Sequence, residues 1–111
     1  MLRPRLDDDG RTVTLDLHGA RVDDAERLIL RAAALATERG RTSLTVVHGA
    51  STSSGLYRNR TIRHALYDLL DGGALDRWVT SDVRFEGHTV LALDAPVAPV
   101  PERLSIRDLM R

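Results

Sequence analysis

The stretch Leu15-Asp16-Leu17-His18-Gly19 decides how the first half of the chain folds. Apolar and polar side chains alternate along it and along the residues before it, and this alternation predicts a β-strand with one buried face. Gly19 then allows the backbone to turn sharply before a helix begins. The strand therefore brings Asp16 and His18 to one end of a sheet, where open α/β folds gather their ligands.

The residues after Gly19 predict a β-α-β unit. Apolar residues recur at helical spacing and the pair Asp23-Asp24 falls in the first turn, so a helix is expected up to Gly40. Residues 43–48 are largely apolar and predict a second strand, parallel to the first because it follows a β-α-β crossover. This strand ends in His48-Gly49, as the first ends in His18-Gly19. We expect the two imidazoles to leave the same sheet edge side by side, within reach of one substrate group.

The rest of the chain predicts a second helix, which ends at Asp71-Gly72-Gly73, and two further strands. The strands are expected over residues 78–85 and 89–93, with a hairpin turn at Glu86-Gly87-His88. The order β-α-β-α-β-β predicts an α/β fold, a two-layer sandwich with a mixed four-stranded sheet, over residues 11–95. Residues 1–10 are predicted to be a flexible N-terminal arm. Residues 96–111 are predicted to be a proline-rich C-terminal tail, with a helical turn at 105–110.

The composition limits the class of protein. The 111 residues suit one domain, and 16 basic and 16 acidic residues cancel, so any attraction to nucleic acid has to come from a local cluster. The absence of Cys excludes disulfides and thiolate metal sites. No apolar run is long enough to span a membrane. We expect a soluble cytoplasmic protein that does not bind membranes.

The segment after the second strand has the composition of a phosphate-binding loop. Residues 50–55 are small or carry hydroxyl groups, and they precede a helix whose N-terminal amides attract anions. The outer face of that helix carries arginines, whose planar guanidinium groups suit phosphate. The predicted nucleic-acid contacts are Gly19, Gly49, Ser51, Ser53, Ser54, Gly55, Arg58, Arg60 and Arg63. The same serines also suit a helix cap, and the same arginines suit a solvated helix face.

The two histidine-glycine motifs, in this order and at this spacing, resemble those of the Smr (small MutS-related) domain family. Gly87-His88-Thr89-Val90-Leu91 is similar to the final strand of that family, and the resemblance covers about residues 11–94. It implies a β-α-β-α-β-β sandwich similar to the C-terminal domain of a bacterial translation initiation factor. It also implies binding to DNA or RNA and, in several members, DNA nicking or endonucleolytic RNA cutting. Relatives usually carry a glycine where this chain has Ser51.

The candidate catalytic residues are Asp16, His18 and His48. For phosphodiester cleavage, either imidazole can act as general base or acid while the other steadies the developing charge, and Asp16 can orient one of them. No cofactor is expected, although these three ligand types also allow a divalent metal site. The alternative is structural, with Asp16 and His18 capping the neighbouring helix. His64 and His88 are predicted to be ordinary surface residues.

Two classes of function follow from these residues. In the first, the protein is an endonuclease that nicks DNA or cuts RNA. In the second, it is a module that binds nucleic acid, or a ribosomal, repair-related or other protein partner, without chemistry. The sequence does not distinguish DNA from RNA as the nucleic acid.

Overall fold

The protein folds as a mixed five-stranded sheet with helices, in a computed structural model that describes residues 4–49, 61–95 and 98–110. The elements in chain order are β1 (Arg5–Asp8), β2 (Thr12–Asp16), α1 (Val22–Glu38), β3 (Ser43–Val47), α2 (Ile62–Asp71), β4 (Val79–Arg84), β5 (His88–Leu93) and α3 (Ile106–Leu109). The strand order is β1-β2-β3-β5-β4, with β2 and β3 parallel and the other neighbouring pairs antiparallel. The predicted α/β class is confirmed, but the sheet has five strands rather than four. Within the described ranges, no helix has the length and apolar character needed to cross a membrane.

The β2-α1-β3 unit forms as predicted and lies at the centre of the sheet. Asp16 is opposite Val47 in the parallel register. The helix contributes a row of small and aliphatic side chains to the core: Ala25, Leu28, Ile29, Ala32, Ala33 and Ala36. It ends before Gly40, which has a φ of +75° and approaches the Ala98 carbonyl so closely that a Cβ would lie 2.8 Å from that oxygen. Only glycine fits this position without a shift of the backbone.

The two faces of the sheet differ in exposure. Along β2, β3 and β5 every second side chain is buried and joins the core with α1, and we call this side the helix face. The residues between them keep partial exposure to solvent and form the open face. The open face of these three strands consists of Thr12, Thr14, Asp16, Ser43, Thr45, Val47, His88, Val90 and Ala92.

Strand β1 corrects the prediction that residues 1–10 are a flexible arm. Arg5–Asp8 pair antiparallel with β2, and Arg5 lies opposite Asp16. The segment contains a single apolar side chain, so the sequence does not signal a strand here. Asp8 is nevertheless only 5% exposed, because it pairs with the side chain of Arg41.

The buried ion pair of Asp8 and Arg41 joins three parts of the chain. Arg41 is fully buried, and its guanidinium donates to the two carboxylate oxygens of Asp8 at 2.8 and 3.0 Å. It also donates to the backbone carbonyls of Arg39, Val100 and Glu102, at 2.9, 2.7 and 3.0 Å. The first strand, the segment leading into β3 and the C-terminal segment therefore meet at one guanidinium group.

Asp8 is held in its ionised form. Burial opposes ionisation, but the hydrogen bond from Arg41 and those from the backbone amides of Leu104 and Gly10 lower the pKa of the Asp8 carboxyl below its ordinary value. Because an unfolded aspartate titrates at about pH 3.9, the stability that this pair contributes is present above that pH and is lost as the pH falls below it.

Residues 98–110 pack onto the core, which corrects the prediction of a proline-rich tail for this segment. Leu104 and Leu109 are both buried. Ser105 and Asp108 form a capping box at the start of α3, in which Asp108 accepts from the backbone N–H of Ser105 at 2.9 Å. The helical turn predicted over residues 105–110 is confirmed.

Replacing Arg41 with Met leaves the Asp8 carboxylate buried without its partner, so we expect the free energy of unfolding to fall by about 3–5 kcal/mol. Urea unfolding at neutral pH measures this loss. The matched control is Arg5→Met, which removes an exposed ion pair with Asp16 and is expected to cost less than about 1 kcal/mol. Equal losses in the two variants would contradict a structural role for the buried pair.

Candidate active site

The first motif ends β2 in a tight turn that presents His18 to solvent. The Asp16 carboxylate, about one third exposed, accepts a hydrogen bond from the backbone N–H of His18 at 3.0 Å. The backbone N–H of Ala20 donates to the Leu17 carbonyl at 2.9 Å and closes the turn, in which Gly19 has a φ of +85°. Asp16 thereby fixes the backbone of His18, whose side chain is exposed, while the Asp16 side chain stays on the open face.

The second motif meets the first at Gly49. This glycine has a φ of +80°, and a Cβ on it would lie 3.4 Å from Cδ2 of the His18 ring. The backbone N–H groups of His48 and Gly49 donate to the carbonyl of Gly87, at 3.2 and 3.0 Å. The structure therefore brings the His18 ring against a glycine backbone that is itself held by the β4-β5 hairpin.

His48 occupies a different environment from His18. It continues the alternation of Leu44 and Val46 on the helix face and is only 7% exposed. Its Nδ1 lies 2.8 Å from the Gly49 carbonyl oxygen and its Nε2 lies 3.0 Å from Oγ1 of Thr89. Because a carbonyl can only accept, Nδ1 carries the proton and Nε2 accepts from the Thr89 hydroxyl when the ring is neutral.

The expected side-by-side arrangement of the two imidazoles is therefore corrected. His18 is exposed at the end of β2, whereas His48 is buried with both ring nitrogens hydrogen-bonded. The physical reason is the two-residue period of a strand, which carries the side chain of His48 toward the core and leaves the glycine after it beside His18.

The surroundings of His48 favour its neutral form. Burial lowers the pKa of the His48 imidazole below its ordinary value, and the hydrogen bond to the Gly49 carbonyl opposes this shift only in part. The electrostatic effects of Arg63 and His88 lower the same pKa further. At neutral pH the ring is therefore uncharged, and it connects the end of β3 to Thr89 in β5.

Asp16, His18 and His48 do not form a metal-binding group. Among the residues that the structure describes, no three His, Asp or Glu side chains come together in a way that could hold a metal ion. The three candidate ligands are therefore divided between two exposed or partly exposed side chains, Asp16 and His18, and the buried imidazole of His48.

Most of the predicted phosphate contacts fall in the segment between β3 and α2. Ser51, Ser53, Ser54, Gly55, Arg58 and Arg60 lie outside the described residues, so their roles stay predictions. Arg63 lies in the first turn of α2, near enough to His48 for its charge to act on that ring. Its Nε is buried and has no hydrogen-bond partner in the described part of the chain. His64, as predicted, is an exposed residue.

Three residues of the β4-β5 hairpin were not recognised as part of the site from the sequence. Thr89 is fully buried and binds His48. His88 lies opposite Val47 on the open face, and the ring of Phe85 stacks on it. The alternation of residues 88–93 was a signal that could have placed Thr89 inside, whereas the stacking of Phe85 on His88 depends on the hairpin geometry.

Acidification is expected to destabilise the protein through His48. An unfolded histidine binds a proton below about pH 6.5, whereas the folded protein resists protonation of this ring, so the free energy of unfolding falls as the pH drops from about 7 to about 5. In His48→Gln this loss should be smaller, although the variant is less stable at neutral pH by about 1–3 kcal/mol because Thr89 and Gly49 lose a partner.

Urea unfolding at the two pH values measures the effect, with His64→Gln on the exposed side of α2 as the matched control. His64→Gln should keep the pH dependence of the wild type. A pH dependence that survives unchanged in His48→Gln would contradict this assignment.

Comparison with known proteins agrees with the two motifs. The family model of the Smr domain matches residues 15–85, which is more than half of the chain and includes both histidine-glycine motifs. No curated protein and no solved structure matches the chain. Smr domains are in general nucleic-acid-binding, nuclease-like modules. From the family match, which covers both motifs together with α1 and β3, the chain belongs to the Smr domain family.

Proposed function

We propose that the protein is an endonuclease that cuts RNA, with His18 as its general base and Asp16 as the residue that positions it. The observation that carries this proposal is the exposed His18 imidazole, which lies against Gly49 and whose backbone is bound by the Asp16 carboxylate. Imidazole is the side chain best suited to exchange protons near neutral pH. Its exposure gives a bound nucleic acid direct access to the ring.

The choice of RNA follows from the chemistry that one exposed imidazole can perform. RNA carries its own nucleophile, the 2′-hydroxyl, next to the phosphorus that it attacks, and this proximity replaces a separate activated water. His18 takes the proton of the 2′-hydroxyl, the 2′-oxygen bonds to phosphorus, and the bond from phosphorus to the 5′-oxygen breaks. The leaving 5′-oxygen takes a proton from solvent. The products are a 2′,3′-cyclic phosphate and a 5′-hydroxyl end.

His48 acts in this proposal as a positioning residue. With its ring nitrogens bound to Gly49 and Thr89, it has none left for a substrate proton. It holds the carbonyl of Gly49, and the Gly49 backbone is the surface against which the His18 ring lies. The backbone at Gly19 and Gly49, and Arg63 in the first turn of α2, would then contact the phosphates.

Cleavage is expected to depend on His18 and, less strongly, on the charge of Asp16. His18→Ala removes the base and should lower the cleavage rate by about 100-fold or more. Asp16→Asn keeps a side-chain oxygen that can accept from the His18 backbone N–H but removes the negative charge. We expect the cleavage rate to fall by about tenfold, which would measure the contribution of the charge alone. The measurement is cutting of a structured RNA, with and without EDTA, and analysis of the new ends for the cyclic phosphate.

His64→Ala is the matched control, since His64 is exposed on α2, and it should cut at the wild-type rate. Cutting should also persist in EDTA, because in this proposal His18 activates the 2′-hydroxyl without a metal ion. Cutting that survives His18→Ala would contradict the proposal. Wild-type binding without cutting would favour a non-catalytic module, and nicking of supercoiled plasmid in place of RNA cutting would overturn the choice of substrate.

A further inference from the structure

We infer that the stacked pair of Phe85 and His88 is a platform for an unpaired base, so that the site takes single-stranded nucleic acid in preference to a double helix. The inference rests on the proposed function, because it assigns the substrate class of that same site. Three observations support it: the exposure of the Phe85 ring, the stacking of that ring on His88, and the position of His88 in the sheet register.

The two rings form an ordered stack on the hairpin between β4 and β5. Their centroids are 4.6 Å apart and their planes are inclined by 16°. The backbone N–H of Phe85 donates to the carbonyl of His88 at 2.8 Å, so the two residues are paired across the hairpin. A flat, nearly parallel pair of rings presents the kind of π-surface on which nucleobases stack.

Phe85 is exposed although it is large and apolar. It keeps 48% of its surface open to solvent, and Val83, two residues earlier on β4, keeps 55%. The residue between them points the other way: Arg84 donates to Asp71 at 2.7 Å and lies 4.3 Å above the ring of Tyr67, both in α2. Because Arg84 is anchored on the helix face, Val83 and Phe85 point to the open face. Their apolar surface is exposed to water there, which is unfavourable unless a partner covers it.

The platform lies in line with the candidate active site. In the sheet register Asp16 is opposite Val47, and Val47 is opposite His88, so these three residues form a row across the open face. Two strand spacings separate Asp16 from His88, which is roughly 10 Å. That span is comparable with a few stacked bases at about 3.4 Å each, so one strand can reach His18 and Phe85 together.

Stacking on this platform selects for unpaired bases. In a double helix both faces of each base are already stacked on neighbouring bases, whereas a base in a single strand or loop is free to turn onto an aromatic ring. The neutral net charge of the chain weakens general attraction to the phosphate backbone, so ring stacking contributes a larger share of the affinity.

The test is the affinity of the full chain for a short unstructured 2′-O-methyl oligonucleotide, which lacks the attacking hydroxyl, and for the same strand annealed to its complement. Fluorescence anisotropy reports both. Phe85→Leu removes the ring and keeps apolar bulk, and we expect it to weaken single-strand binding between about fivefold and about a hundredfold without changing duplex binding. Phe85→Tyr keeps the ring and should bind like the wild type.

Val83→Ala is the matched control, since Val83 is similarly exposed on the same face but has no ring, and it should change single-strand affinity by less than about twofold. Urea unfolding confirms that each variant is folded. If Phe85→Leu fails to fold, quenching of 2-aminopurine in the oligonucleotide by the wild-type protein gives the answer, because stacking quenches that base.

The outcomes separate the two proposals. Three results would overturn the platform and leave the proposed role of His18 unaffected. They are wild-type affinity in Phe85→Leu, equal weakening of single-strand and duplex binding in that variant, and 2-aminopurine fluorescence that the wild-type protein does not quench. Failure of the wild type to bind either oligonucleotide would overturn both.

Discussion

The fold depends on a buried charge pair. Arg41 lies inside the protein, where an unpaired guanidinium would cost several kcal/mol, and it is stabilised by Asp8 and by carbonyls of the C-terminal segment. This arrangement anchors β1 beside β2, at the edge of the sheet. Arg5 in β1 therefore lies beside Asp16 in β2. The C-terminal segment of the chain holds β1 in place, and β1 in turn flanks the strand that carries the candidate site.

Side-chain alternation gives the two histidine motifs different roles. His18 is exposed at the end of β2, whereas His48 is buried and uses its ring nitrogens to hold Gly49 and Thr89. One motif thus presents an imidazole to solvent, and the other connects β3 to β5. They meet at the backbone of Gly49, where the absence of a side chain lets the His18 ring lie close.

The sequence predicted the parts of the fold that depend on local pattern. The alternation before His18 and the helical spacing after it gave the β-α-β unit correctly, because both report burial within one element. Strand β1 escaped prediction because Asp8 is buried by a partner 33 residues away, which no local pattern reveals. The burial of His48 was readable from the alternation along residues 44–48, but the shared motif suggested equivalent environments for the two histidines. The stacking of Phe85 depends on how the hairpin folds.

We propose that nucleic acid lies on the open face, across the ends of β2, β3 and β5. Titration of the ¹⁵N-labelled protein with a 2′-O-methyl RNA oligonucleotide, followed by backbone amide NMR, tests it most directly. We expect the largest chemical-shift changes at the amides of His18, Gly49 and His88, and unchanged shifts for amides along the exposed side of α1. Changes concentrated on α1, around Arg27 and Arg31, with the open face unaffected, would contradict it.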